Sequence, residues 1–187
     1  MGMLKQLMPL GQSTILGQTI DNFLSSKLSE IVVVVGYKAQ EVINAIGNRQ
    51  VKVVINPDYQ QGMGTSIAAG LSLISSKVQG IMIALADQPF IDRQIIDILI
   101  EAFNTGIRGI VIPVYKGRRG NPVIFNISYK QELLALKADI GGREIIVRHP
   151  EDVTEVIFDT DDVINDIDTE DKYDLAKDRI TKLPKDT

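Results

Sequence analysis

A carboxylate directly after an apolar run is the first feature of this sequence with the makings of chemistry. Asp87, in Leu85-Ala86-Asp87-Gln88-Pro89, follows the run Ile81 to Leu85, and open α/β sheets bind ligands beyond the carboxyl ends of their strands. Pro89 restrains the backbone behind it and Asp92 can cap the next helix, so the turn has local reasons to be ordered. Taken alone, such an Asp reads equally as a strand end or turn residue. A second acidic group, Asp159, Asp161, Asp162, Asp166 and Asp168, surrounds the segment Val163 to Ile167. Magnesium takes oxygen ligands, typically one or two carboxylates with substrate phosphates, so Asp87 and one member of this group would suffice. Alternation along a strand puts Asp166 and Asp168 on one face, and spacing does not choose between them. Asp159 to Asp162 fit a solvated acidic edge.

Two further segments could meet phosphates. Asn56-Pro57-Asp58-Tyr59-Gln60-Gln61-Gly62-Met63-Gly64-Thr65-Ser66 runs from a strand into a helix, and its two glycines let backbone amides approach a ligand. The spacing is not that of a Walker loop, and a glycine turn capped by Thr65 or Ser66 serves structure as readily. Lys116-Gly117-Arg118-Arg119-Gly120-Asn121-Pro122 gathers three cations beside two glycines, enough for an anionic substrate or simply a charged hairpin turn. Lys5 by itself reads as a surface lysine. The single His149, beside Arg148 and Pro150, reads as an exposed helix end.

The elements that must position these residues follow from hydrophobic periodicity. Ile31 to Val35, Val51 to Ile55, Ile81 to Leu85 and Gly109 to Val114 are short β-branched runs of the kind buried on both faces. Between them Ile15 to Leu24, Ala39 to Ile46, Ser66 to Ile74 and Ile91 to Phe103 carry apolar residues at helical spacing. This alternation predicts an α/β fold, a mainly parallel sheet with helices on both faces. After Pro113 the pattern becomes α+β: a strand at Pro122 to Asn126, a helix opened by Ser128 with Gln131 three residues on, and strands at Thr154 to Phe158 and Val163 to Ile167. A last helix is capped by Thr169, with Glu170 and Asp171 in its first turn. One domain over residues 1–180 and a C-terminal tail over residues 181–187, frayed at Leu183 to Thr187, are expected, with no internal repeat, low-complexity segment or linker.

Composition narrows the function. The formal net charge is -4, which gives no broad positive field for a nucleic-acid backbone. The chain has no Cys, so disulfide, thiolate and zinc-knuckle chemistry are excluded, and no segment reads as a signal peptide. No apolar run approaches the length of about 20 residues that spans a bilayer. The expected setting is cytoplasmic, without nucleic-acid or membrane partners.

Taken together the segments resemble the MobA-like nucleotidyltransferases, in particular their molybdenum cofactor cytidylyltransferase branch, from Met1 to about Leu175. Met1-Gly2-Met3-Leu4-Lys5 is similar to the end of the family's signature loop, and Asn56-Pro57 with Gly62 to Ile67 to its second nucleotide loop. Leu85 to Pro89 resembles the metal-binding turn, Gly117 to Pro122 the substrate loop, and Asp166-Ile167-Asp168-Thr169-Glu170-Asp171 the closing acidic motif. The resemblance implies a three-layer α/β/α, Rossmann-like nucleotidyltransferase sheet with a small β extension. It implies that Lys5 neutralises nucleotide phosphates, that Asp87 and Asp168 bind Mg2+, and that Asn56, Gly62, Gly64, Thr65 and Ser66 hold the nucleotide. Asp168 is preferred to Asp166 because the residue before the Thr matches the family ligand. Arg118, Arg119, Gly120 and Asn121 would meet the second substrate, although Asn121 stands where this branch usually has His.

The implied reaction is transfer of CMP from CTP to molybdopterin or its molybdenum-loaded form, with release of pyrophosphate and a molybdoenzyme as a conceivable recipient. The alternatives are another base or acceptor, such as GTP with molybdopterin or a sugar phosphate, and a non-catalytic molybdopterin-binding or chaperone-like role. The family also places a strand and a loop of leucine, two alanines, glycine, serine and arginine before the Met-Gly. Their counterparts are expected upstream of Met1 in the same reading frame; without them the chain is expected to be functionally impaired.

Overall fold

In the computed structural model, which describes residues 4–136 and 141–182, the predicted alternation of elements is present. A small hairpin, β1 (Pro9–Leu10) and β2 (Ser13–Thr14), leads into α1 (Ile15–Leu24), whose first turn is closed by the Thr14 hydroxyl accepting from the Gly17 amide at 3.0 Å. Then come β3 (Val32–Val35), α2 (Ala39–Ile46), β4 (Lys52–Ile55), α3 (Met63–Leu71), β5 (Gly80–Ile83) and α4 (Arg93–Thr105). The second half contains β6 (Ile110–Tyr115), β7 (Arg118–Arg119), β8 (Val123–Asn126), α5 (Lys130–Leu134), α6 (Arg143–Arg148), β9 (Val153–Ile157) and α7 (Glu170–Lys182).

β3 pairs with β4 in parallel, and β6 with β9 in parallel. β8 lies between β5 and β6 and is antiparallel to both, so β5 and β6 point the same way. The small β7 extends β6 as an antiparallel hairpin. Burial explains the layers. Val111 and Ile124 face Phe23 of α1 and Ile96 and Leu99 of α4, while their neighbours Ile110, Ile112 and Phe125 face Ile67 and Leu71 of α3, Leu133 of α5 and Ile145 of α6. Such alternation between two apolar faces is what a sheet covered on both sides requires. α2 joins α1 on the first face, where Ile46 packs with Leu16, Ile20 and Val35.

One discontinuity interrupts the sheet. β3 and β5 belong to separate hydrogen-bonded sheets, and an apolar cavity of about 370 Å³ opens between them.

The structure corrects four local expectations. Val163 to Ile167 is not a strand: residues Asp161–Ile164 form a 3-10 turn capped by Thr160, and the chain continues without a ladder partner. The helix near Ser128 is opened by Asn126, whose side chain accepts from the Ser128 amide at 3.0 Å. α3 starts at Met63 with Gly62 before it, ahead of both Thr65 and Ser66. His149 is half-buried rather than exposed: its Nε2 lies 3.1 Å from a Glu132 carboxylate oxygen and its ring meets Tyr129 edge-on. Thr169 does cap α7, accepting from the Lys172 amide at 3.3 Å. The proposed tail Leu183 to Thr187, and Met1 to Met3 of the signature loop, lie outside the described residues.

The lower end of β6 is tied by Asp152, which accepts from the Tyr129 hydroxyl at 2.6 Å and from the Gly109 amide at 2.8 Å. The Tyr129 hydrogen bond holds the Asp152 carboxyl below its ordinary pKa, while burial, then Asp152 itself, pushes the Tyr129 phenol upward. A depressed carboxylate stabilises the fold above its unfolded pKa, and that contribution is lost as pH falls through the folded value. Tyr129→Phe should therefore cost about 1–3 kcal/mol at pH 7. Urea unfolding at stepwise lower pH should show the difference shrinking below about pH 4, and a constant difference down to pH 2 would remove Asp152 as the partner responsible.

Candidate active site

The turn that carries Asp87 is held from two sides before its carboxylate is considered. From α1, the buried Thr19 hydroxyl reaches the Ala86 carbonyl at 3.4 Å, and the Asn22 side-chain amide donates to the carbonyls of Pro89 and Ile91 at 2.8 and 3.0 Å. From the far end of the chain, the Ile167 amide donates to the Asp87 carbonyl at 2.9 Å. The carboxylate itself is mostly covered, with 14% of the side chain exposed, and Lys5 Nζ lies 2.6 Å from Oδ2. Thr19 and Asn22 were missed in the sequence. Their signal was two polar residues one helical turn apart on the apolar stripe Leu16, Ile20 and Phe23.

The bond to Ile167 brings the closing acidic segment alongside. Asp166 and Asp168 both reach Lys172 Nζ, at 3.1 and 2.8 Å. The Lys172 hydrogen bond, aided by the positive fields of Lys172 and Lys5, lowers the Asp168 pKa, and the two carboxylates raise that of Lys172. Two charged groups thus meet where the Ile167 amide bonds the Asp87 carbonyl, Asp87 with Lys5 and the pair Asp166 and Asp168 with Lys172. Lys172 was not foreseen, because a lysine in the first turn of an acidic amphipathic helix looks like an ordinary i, i+4 surface partner. Among the described residues no three Asp, Glu or His side chains form a metal cage.

α7 is itself anchored. Arg179 makes a bidentate pair with the buried Asp162, Nη2 to Oδ2 being 2.8 Å, and its guanidinium stacks 4.1 Å from the Phe90 ring centroid. This pair separates Asp162 from the solvated edge expected of Asp159 to Asp162. Tyr173 adds a hydrogen bond from its hydroxyl to the Pro9 carbonyl at 2.6 Å.

The glycine loop after β4 has an internal skeleton. The Asn56 side chain, 3% exposed, donates to the Thr65 and Ser66 hydroxyls at 3.0 and 3.1 Å and accepts from the Asp58 amide at 3.0 Å. Thr65 in turn donates to the Gly62 carbonyl at 2.9 Å. Gly62 has φ 107°, a value L side chains rarely adopt. A Cβ on Gly64 would sit 2.6 Å from the Leu136 carbonyl oxygen, so that glycine serves the packing of α3 on the chain after α5. The side chains of Asn56 and Thr65 are therefore spent on the loop's own shape.

The basic segment is a two-residue hairpin turn, Lys116 and Gly117 having φ 47° and 75°. Arg119 lies 3.6 Å from Glu155, Arg118 is exposed, and the peptide bond between Asn121 and Pro122 is cis. Gly120 rests against the Val163 carbonyl with no room for a Cβ, and Asn121 N donates to that carbonyl at 2.7 Å. Because β5 and β6 run in the same direction, this hairpin and Asp87 emerge at the same edge of the sheet.

Known proteins share this architecture. The chain is 27% identical over 184 residues to the molybdenum cofactor cytidylyltransferase of Escherichia coli strain K12, covering 98% of this chain and 92% of that protein. It is 25% identical over 173 residues to the nicotine blue oxidoreductase of Paenarthrobacter nicotinovorans, covering 88% and 83%. Among solved structures, Rv0371c of Mycobacterium tuberculosis H37Rv in complex with manganese superposes with a TM-score of 0.83 at 25% identity, covering 95% of this chain and 93% of that one. The model of the MobA-like NTP transferase domain matches residues 1–153, and with that match the chain belongs to the MobA-like NTP transferase family and is a nucleotidyltransferase enzyme.

Proposed function

We propose that this protein transfers CMP from CTP to molybdopterin or molybdenum cofactor, releasing pyrophosphate, in the cytoplasm. The observation that carries the transferase chemistry is the convergence of Lys5, Asp87 and Asp168 at the carboxyl edge of the sheet. The similarity to a molybdenum cofactor cytidylyltransferase over nearly the whole of both chains supports the choice of base and acceptor.

The donor set fits magnesium. Two carboxylates from separate segments, with no third protein ligand in place among the described residues, leave positions for phosphate oxygens and water. Asp87 and Asp168 would hold the ion, and its role when bound is to neutralise the triphosphate and orient the α-phosphorus. Manganese in the complex of the related Rv0371c supports a divalent cation. Lys5 is close enough to Asp87 to move onto a phosphate oxygen, carrying its positive charge to the reacting group. The loop of Asn56, Gly62, Gly64, Thr65 and Ser66, with Gly62 at its unusual φ, holds the nucleotide. Arg118 and the turn through Gly120 and Asn121 orient the acceptor, whose phosphate oxygen attacks the α-phosphorus as the bond to pyrophosphate breaks. No covalent intermediate on the protein is needed; positioning and charge neutralisation suffice.

Incubating the protein with magnesium, molybdopterin and each NTP in turn, with pyrophosphate as the readout, tests this directly. Release is expected with CTP and molybdopterin together. Preference for GTP would favour guanylyl transfer, and turnover with a sugar phosphate would move the acceptor assignment. No release with any NTP would favour cofactor binding without turnover.

Two substitutions probe the residues. Asp87→Asn removes a ligand charge at constant volume and should reduce turnover at least roughly 10²-fold while leaving the unfolding temperature near that of the parent; full turnover at saturating magnesium contradicts its role. Lys172→Ala frees the Asp168 carboxylate from its ammonium partner, so Mn2+ should bind the nucleotide-free protein about 3–10-fold more tightly by calorimetry. Unchanged or weaker binding would argue against Asp168 as a ligand.

A further inference from the structure

Two tyrosines at the carboxyl end of the β3 and β4 pair take no part in the chemistry derived above. The strands run parallel with Val35 opposite Ile55, so the segments that leave them, Gly36 to Lys38 and Asn56 to Gly62, emerge side by side. Tyr59 lies across the backbone of Gly36, where a Cβ would stand 2.6 Å from the Tyr59 Cβ and 2.7 Å from its Cγ. Tyr37 stands next to it, with ring centroids 6.3 Å apart and planes tilted by 47°, an arrangement that aromatic pairs favour. The turn beneath Tyr59 is fixed, since the Asp58 amide donates to the Asn56 side chain at 3.0 Å and the Gln61 amide to the Asp58 carbonyl at 2.9 Å. Tyr59 thus braces Tyr37 from an ordered loop.

The bracing leaves Tyr37 uncovered, at 58% exposure. Lys38, directly after it, has φ 52°, a left-handed conformation that is strained for a lysine and of the kind that clusters at ligand sites. A large planar ring held still in this way binds at little cost in conformational entropy. The pair also stands on the same edge of the sheet as Asp87. Leu16 and Ile20 of α1 cluster with Val35, Phe23 clusters with Ile31 and Met82, and Thr19 reaches the Ala86 carbonyl, so β3 and β5 run in one direction along α1. β5 lies between β3 on its cavity side and β8 with β6 on the other. Phosphates at Asp87 therefore have the tyrosines on one side and the Arg118–Arg119 hairpin on the other. With the acceptor given to the hairpin, what remains for the tyrosines is the part of the nucleotide beyond its phosphates.

We propose that Tyr37, braced by Tyr59, is a stacking platform for the base of the nucleoside triphosphate. The proposal rests on the placement of the nucleotide between the glycine loop and Asp87. Two tilted rings with centroids 6.3 Å apart do not admit a third between them, because stacked carbons need about 3.5 Å on each side. The base therefore lies on the outward face of Tyr37, with Tyr59 as backing. Every base offers a π-face, so this platform raises affinity for each NTP without choosing among them. Choice of base is left to groups that meet its edge.

Calorimetric titration in magnesium with each NTP, and with inorganic tripolyphosphate, separates stacking from phosphate binding. Tyr37→Ala should weaken the best-bound NTP roughly tenfold and leave tripolyphosphate unchanged. Tyr37→Phe should bind like the parent and Tyr37→Trp at least as tightly, because the ring face and not the hydroxyl makes the contact. In the parent, the Tyr37 ring protons should shift upfield in NMR spectra on adding that NTP and stay in place with tripolyphosphate. Position 37 is exposed, so the variants should unfold at the parent's temperature. Equal NTP affinity of the parent and Tyr37→Ala overturns the platform while leaving the nucleotide site and the proposed transfer standing. Equal loss of NTP and tripolyphosphate assigns Tyr37 to the shape of the loop and also overturns it. Loss of molybdopterin affinity with NTP affinity intact moves the ring to the acceptor and overturns the assignment to the base. A parent that binds no NTP overturns both the platform and the placement of the nucleotide on which it rests.

Discussion

The hydrogen bond from the Ile167 amide to the Asp87 carbonyl joins segments that the sequence keeps eighty positions apart, and the arrangement of the site depends on it. A carboxylate at the end of β5 has one neighbour of opposite charge, Lys5. Docking the extended stretch around Ile167 beside it delivers Asp166, Asp168 and Lys172 in one step. The docking has its own supports, since Ile167 is buried with Leu10 and Ile15, and α7 is clamped by Arg179 between Asp162 and Phe90. Phe90 lies three residues after Asp87, so the same arginine that anchors the helix also braces the turn.

Charge explains why carboxylates can be kept so near one another. Asp166 and Asp168 share Lys172 while Asp87 takes Lys5, and each cation offsets repulsion that would otherwise oppose the docking. Both lysines are more than a third exposed, at 36% and 40%, so water screens these pairs and their individual contribution to stability is small. Their value lies in exchangeability. Long side chains on exposed stems can leave a carboxylate when a stronger cation arrives and settle on the phosphates that accompany it. The same geometry thereby keeps the site compact without substrate and redistributes its charge with it.

The parallel layer was legible because fully buried strands must be apolar on both faces, and Val32 to Val35 and Ile110 to Val114 leave no other reading. The site's fine structure was less so. Val163 to Ile167 alternates like a strand, but its backbone groups are taken elsewhere: the Val163 carbonyl by Asn121 and the Ile167 amide by Asp87. An apolar alternation reports burial of alternate residues, and a strand is one way to achieve it. Gly64 and Gly120 read as openings for a ligand, whereas each lies against a carbonyl of a neighbouring segment. Glycine reports close approach without saying what approaches. Asp87 and Lys5 were found by position and resemblance, while Lys172, Thr19 and Asn22 act on groups distant in sequence and carried almost no local signal.

The cavity between β3 and β5 and the site are mechanically connected. Its two walls continue directly into functional loops: β3 into Gly36, which packs on Tyr59 of the glycine loop, and β5 into the Asp87 turn. The distance between those walls therefore sets the distance between the loop proposed to hold the nucleotide and the carboxylate proposed to hold its metal. Phosphoryl transfer is sensitive to misplacement on the scale of an ångström. The packing of α1 and α3 across those walls would then contribute to catalysis, with no chemistry of its own, by fixing where the reacting groups stand.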